Sequence, residues 1–133
     1  MTIITTVGYV LAGLLAAGII VIGARFLIAP RVAAAGYGVL PDVDQTAVRA
    51  YLSVKGVRDI ATGLFVVILM AAGVTHLLGW VILAATIIPL TDATIVLRSG
   101  GSKSIAWGVH GVTAAVMLAT AALLLLSQGP LSS

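Results

Sequence analysis

Lys55, Arg58 and Asp59 stand close together in a stretch otherwise rich in aliphatic residues, with Tyr51 before them and Thr62 after. Counted from Tyr51, offsets of 4, 7, 8 and 11 residues place all five on one stripe of a helix. Three other apolar runs each carry a group of the same kind: Arg25 in the first, Asp92 shortly after Pro89 in the third, His110 shortly after Trp107 in the fourth. Carboxylates and imidazole move protons, while guanidinium and ammonium groups hold anions. Asp59, Asp92 and His110 are therefore the candidate catalytic residues. Arg25, Tyr51, Lys55, Arg58 and Trp107 are the candidate ligand-binding residues.

Other chemistries lack their residues. The chain has no cysteine, which removes disulfides, thiolate metal sites and thiol redox steps. It has no HExxH, no GxGxxG and no phosphate-binding GxxxxGK[ST]. Its histidines, His76 and His110, belong on opposite sides of a membrane and cannot share a metal. Asp42 and Asp44 suit turn formation and helix capping. No metal site and no cofactor are expected, and no nucleophile elbow supports Ser-His-Asp chemistry.

The elements that must position these groups follow from composition. Of 133 residues 61% are hydrophobic and 8% charged, against roughly 25% charged in an ordinary soluble domain. So few polar groups cannot coat the surface of a small water-soluble protein. Four apolar segments can be traced, over residues 3–29, 46–74, 77–97 and 104–126. Each reaches the roughly 20 residues a helix needs to cross a bilayer. The expected fold is all-α, a single domain forming an integral membrane four-helix transmembrane bundle. The first segment lacks a basic leader and runs longer than a signal core, so it is expected to stay in the mature protein. The stretch from Ser127 to Ser133 is expected to be a mobile tail.

The net charge of +3 invites a nucleic-acid reading, but the cations are scattered at helix ends and form no phosphate-tracking surface. They gather instead by topology. Arg25, Arg31, Arg49, Lys55, Arg58, Arg98 and Lys103 all lie near the first or third connection. The positive-inside rule places those connections in the cytoplasm and both termini outside, in the cell's inner or plasma membrane.

Depth then brings the polar groups into one layer. Asp92 precedes Arg98, and His110 follows Ser104, by six residues, about 9 Å of helix each. A charge at mid-membrane costs about 2.5–3.5 kcal/mol, less off-centre, so Arg58, Asp59 and Asp92 should turn inward and pair. Lys55 is set one turn from Asp59, and Arg58 is placed to reach Asp92. Pro89 removes a backbone donor and should distort the helix beside Asp92. If Arg25, Lys55 and Arg58 share a pocket with Asp59 and Asp92, the cationic surplus favours a lipophilic small molecule with a polar or anionic head. Small residues at Gly13 and Ala17, Ala72 and Gly73, and Gly111 and Ala115 suit close helix packing, within one chain or in a homo-oligomer.

Four stretches carry a resemblance: Gly23-Ala24-Arg25-Phe26-Leu27-Ile28-Ala29-Pro30, Tyr51 through Ile60, Ile88-Pro89-Leu90-Thr91-Asp92-Ala93, and Trp107-Gly108-Val109-His110-Gly111. They resemble the signature blocks of an uncharacterised family of small four-span membrane proteins, a domain of unknown function distantly similar to the DoxX-like group. The resemblance implies fold and topology and carries no settled activity. DoxX-like relatives are linked to quinone-coupled oxidation, whose redox residues this chain lacks.

Three functions fit these residues. One is a pocket for a lipophilic molecule, extending to a cofactorless acid–base membrane enzyme in which Asp59 or Asp92 is the base and His110 the proton shuttle. Another is a proton-coupled transporter using Asp59 or Asp92. The third is an accessory membrane subunit whose ion pairs only hold the bundle together. In each case the bilayer is the first partner.

Overall fold

The computed structural model describes residues 1–127. In chain order it contains α1 (Ile3–Ile28), α2 (Pro30–Tyr37), α3 (Thr46–Ala71), α4 (Thr75–Ala85), α5 (Ile87–Arg98), α6 (Lys103–Ile105), a π-helical turn (Ala106–Gly111) and α7 (Val112–Leu126), with no strand among the described residues. The expected mobile tail lies largely at residues 128–133, outside the described ones. Its first residue is not free: Ser127 is buried, and its carbonyl meets His76 Nε2 at 2.8 Å.

Local chemistry sets the breaks. The Thr2 hydroxyl accepts from the Thr5 amide and opens α1. Pro30 cannot donate to a preceding carbonyl, so α1 stops and the proline becomes the first residue of α2. Gly38 closes α2 with φ +101°, a left-handed conformation that favours glycine. Asp44 does not cap α3, contrary to expectation. Gln45 holds the cap position without a side-chain capping bond. Asp42 instead accepts from the Asp44 amide and the Gln45 side chain, and Asp44 pairs with Arg31 at 2.9 Å. Pro89 has no hydrogen to give the carbonyl of Ala85, and the helical run from Thr75 is interrupted nearby, at Thr86, between α4 and α5.

Among the described residues the most extensive contact joins α1 to α3, and α4 packs on α7, which also touches α1. Of the glycines expected from small-residue spacing, Gly13 lies on the α1–α3 seam, in ordinary contact range of the Met70 side chain, while the tightest approaches fall at other glycines. A Cβ on Gly23 would stand 2.5 Å from the carbonyl oxygen of Gly56, and one on Gly63 would stand 2.8 Å from that of Ala16. Among the glycines named from spacing, Gly73 faces open space at φ +70° and ends α3, while Gly111 meets mainly its own turn.

Toward the end bearing the chain's first residues, one apolar core joins the rods: Ala12, Ala16, Val66, Leu78, Ile82, Ala121 and Leu124. At the opposite end α2 folds in. Tyr37 packs against Phe26, Ala33 and Ala34 on one side and against Ala93, Val96 and Ala106 on the other. A single side chain thus touches two separate cores.

The exterior is apolar, with Leu14, Phe65, Trp80, Ile87 and Leu126 all well exposed. A water-soluble protein does not present so continuous an apolar surface. Ile3–Ile28, Thr75–Arg98 and Lys103–Leu126 are each long and apolar enough to cross a membrane. At 26 residues α3 matches α1 in length but carries Arg49, Lys55, Arg58 and Asp59 within its first fourteen residues.

Candidate acid–base site around Tyr37

Four of the eight sequence-derived site residues are gathered around Tyr37. Lys55 and Asp59 come from one face of α3, Asp92 from α5 and His110 from the π-helical turn. Lys55 Nζ lies 2.6 Å from Asp59 Oδ2, the pair expected one helical turn apart. The same ammonium stands 4.7 Å from the centroid of the Phe26 ring and 4.8 Å from that of Tyr37. Both distances fall within cation–π range.

His110 closes the other side. Its Nε2 is 2.9 Å from the carbonyl oxygen of Tyr37, and its ring meets the Tyr37 ring edge-on at 4.7 Å. A carbonyl only accepts, so Nε2 carries the hydrogen. Nδ1 is left facing Asp92 Oδ2 at 3.9 Å. That separation is too long for a hydrogen bond but short enough for an ion pair when the ring is protonated.

Tyr37 itself is pushed well above the usual phenol range. Burial is the largest cause, followed by the hydrogen bond and negative charge of Asp92 and then the charge of Asp59. It remains a neutral hydroxyl between two carboxylates.

The π-helical turn aims His110. Widening the helix by one residue shifts the side chains around its axis, and such turns recur at functional sites. The Val112 amide reaches back to the Trp107 carbonyl, and His110 ends up buried while its neighbours Trp107, Gly108 and Val109 face outward. Every buried side-chain nitrogen and oxygen among the described residues has a hydrogen-bond partner. The cluster is nevertheless partly open, with side-chain exposures of 30% for Lys55, 21% for Asp92 and 14% for Asp59.

The other four candidates lie elsewhere. Arg25, Tyr51, Arg58 and Trp107 are all exposed. Arg58 does not pair with Asp92, whose ionic partner is His110. A position one residue before Asp59 is turned about 100° away on a helix, and a long guanidinium can extend outward from it. With both arginines outside, the cluster holds one ammonium against two carboxylates and an imidazole. The cationic surplus read from the sequence is absent from it.

Phe26 and Tyr37 were not among the sequence-derived residues. The signal for Tyr37 was the pairing of Pro30 with Gly38, a proline start and glycine stop that define a short helix. Among the described residues no three His, Asp or Glu side chains converge as a metal ion would require.

A family model described as "Domain of unknown function (DUF4267)" matches residues 16–124, which include every member of the cluster. No curated protein and no solved structure matches the chain.

Proposed function

The chain belongs to the DUF4267 family of unknown function, and from the cluster enclosed by that segment we propose a membrane protein that binds a lipophilic small molecule by its polar head. Lys55, Asp59, Asp92 and His110 line the place for the head around Tyr37. In this reading α3 is a fourth membrane span beside the three apolar ones. Its charges sit within the first fourteen residues, toward the α2 end, where Lys55 and Asp59 turn inward and Arg49 and Arg58 reach headgroups. The cation-rich connections are cytoplasmic and the termini outside, in the inner or plasma membrane.

One observation carries the proposal. Ionisable groups from three helical segments, which would be costly in hydrocarbon, meet at a single tyrosine and stay partly accessible. Such intramembrane groups mark ligand or proton pathways. With Nε2 fixed as a donor, Nδ1 of His110 and the Asp92 carboxylate form a place where a proton can be exchanged with the bound molecule. This serves acid–base catalysis and proton-coupled transport equally. Complete pairing of the buried polar atoms favours a second reading, a network that only holds the bundle together.

Mass spectrometry of small molecules retained by gently extracted protein separates the two. A lipophile present at stoichiometric level, and lost from a folded Asp92→Asn variant, is expected. Repeated purification of both proteins free of any such molecule would leave the packing network as the surviving interpretation.

A further inference from the structure

We infer that the cluster is a cage for a cation, filled here by the ammonium of Lys55 and able to take the ammonium group of a lipophilic ligand when that side chain withdraws. The inference rests on the binding function proposed above and names the chemistry of the head.

The cage is already occupied by the group it fits. Lys55 Nζ sits 4.7 Å and 4.8 Å from the Phe26 and Tyr37 ring centroids and 2.6 Å from Asp59. Aromatic faces joined to a carboxylate are how proteins recognise ammonium ions, quaternary ones included. The two rings are themselves set at 78° with centroids 6.2 Å apart, so they bound a corner instead of stacking shut. A further carboxylate, Asp92, lies across Tyr37 with only the His110 imidazole as ionic partner.

An anion would meet a poorer reception. The only cation inside the cluster is already engaged by Asp59, and Arg25 and Arg58 are exposed. An incoming anion would also face two carboxylates. An incoming cation needs only to displace a tethered one. Lysine is suited to leave, because its four-carbon stem is flexible and this one is 30% exposed. Lys55 thereby acts as an internal competitor that is present whenever ligand is absent.

Matched probes test the cage in full-length protein held in nonionic, choline-free maltoside micelles: benzyltrimethylammonium, benzylsulfonate and neutral benzyl alcohol, with calorimetric binding as readout. Removing the competitor by Lys55→Met should tighten benzyltrimethylammonium binding about tenfold, the scale of one desolvated cation–π contact. Adding Phe26→Leu to that variant should reverse the gain. Sulfonate that binds the wild type and is lost with Lys55→Met overturns the cage while leaving a small-molecule site standing. Failure of all three probes on both proteins overturns the cage and the binding function together. Thermal unfolding of the wild type needs no variant. Benzyltrimethylammonium should raise its midpoint more than equimolar sulfonate, and an equal effect or the reverse order counts against the cage.

Discussion

His110 Nε2 donates to the carbonyl oxygen of Tyr37 at 2.9 Å, joining the π-helical turn before α7 to the last residue of α2, 73 positions earlier in the chain. This hydrogen bond ties α2 to the α5–α7 side of the bundle. The opposite side holds α2 through Phe26 and Lys55. Removing the donor orphans a carbonyl within the protein, which costs about 1–3 kcal/mol. His110→Ala is expected to lose on the order of 2 kcal/mol or more in reversible unfolding from mixed micelles, and to make the α2–α3 connection more sensitive to protease. His110→Gln, with an amide donor, should recover part of both losses. A His110→Ala protein within about 0.5 kcal/mol of wild type would mean that α2 is held by its apolar contacts alone.

Lys55 and Asp59 make a testable pair because each partly buried charge is matched by the other. Breaking a fully buried pair costs about 3–5 kcal/mol, and the partial exposure here lowers that toward about 2 kcal/mol for Asp59→Asn or Lys55→Met. The double variant Lys55→Met/Asp59→Leu leaves no unpaired charge and should be closer to wild type than either single variant. A double variant whose loss equals the sum of the singles would show that the two side chains do not interact.

The helical class was legible because each apolar run is too long for a strand and has nowhere to bury in so small a soluble protein. Pro30 and Pro89 also announced their breaks, since a missing N–H acts locally. The site was legible in part. Asp59, Asp92, Lys55 and His110 stood out by type alone, and rise per residue put Asp92 and His110 at similar depth. Arg25 and Arg58 were harder to place, because periodicity gives an angle around one helix and says nothing of which neighbour fills that side or how far a long side chain extends. Tyr37 and Phe26 escaped notice for the opposite reason. An aromatic ring in an aliphatic chain raises no alarm, and only the fold-back of α2 reveals a tyrosine shared by two cores. The π-helical turn carries no periodic signal either, since one extra residue is lost within normal helical scatter.

Gly23 and Gly18 separate crowding from propensity on the same helix. A Cβ on Gly23 would meet the Gly56 carbonyl oxygen at 2.5 Å and the Ile60 amide nitrogen at 2.9 Å, both backbone atoms that cannot swing away. Gly18 has nothing within 4 Å. Gly23→Ala must therefore push α1 from α3, at a cost of about 1–3 kcal/mol. Gly18→Ala should be neutral or slightly stabilising, because alanine is the better helix former. Unfolding of the two variants side by side decides it, and equal stabilities would contradict the close seam.

Tyr37 gives the pH dependence a definite sign. Burial and the neighbouring Asp92 carboxylate raise its phenol above the ordinary 10.0 in the folded protein, whereas the unfolded chain releases that proton near the ordinary value. Above pH 10 the unfolded state therefore binds fewer protons than the folded one. This contribution to stability is complete below pH 10 and declines as the pH climbs beyond it. At pH 11, folded wild type and Tyr37→Phe should show the same phenolate absorbance near 295 nm, since the residue removed was not ionised. Under denaturing conditions at that pH the wild type should gain absorbance over the variant. A folded wild type that already exceeds the variant at pH 11 would place the Tyr37 hydroxyl in water, away from Asp92 and outside the cluster.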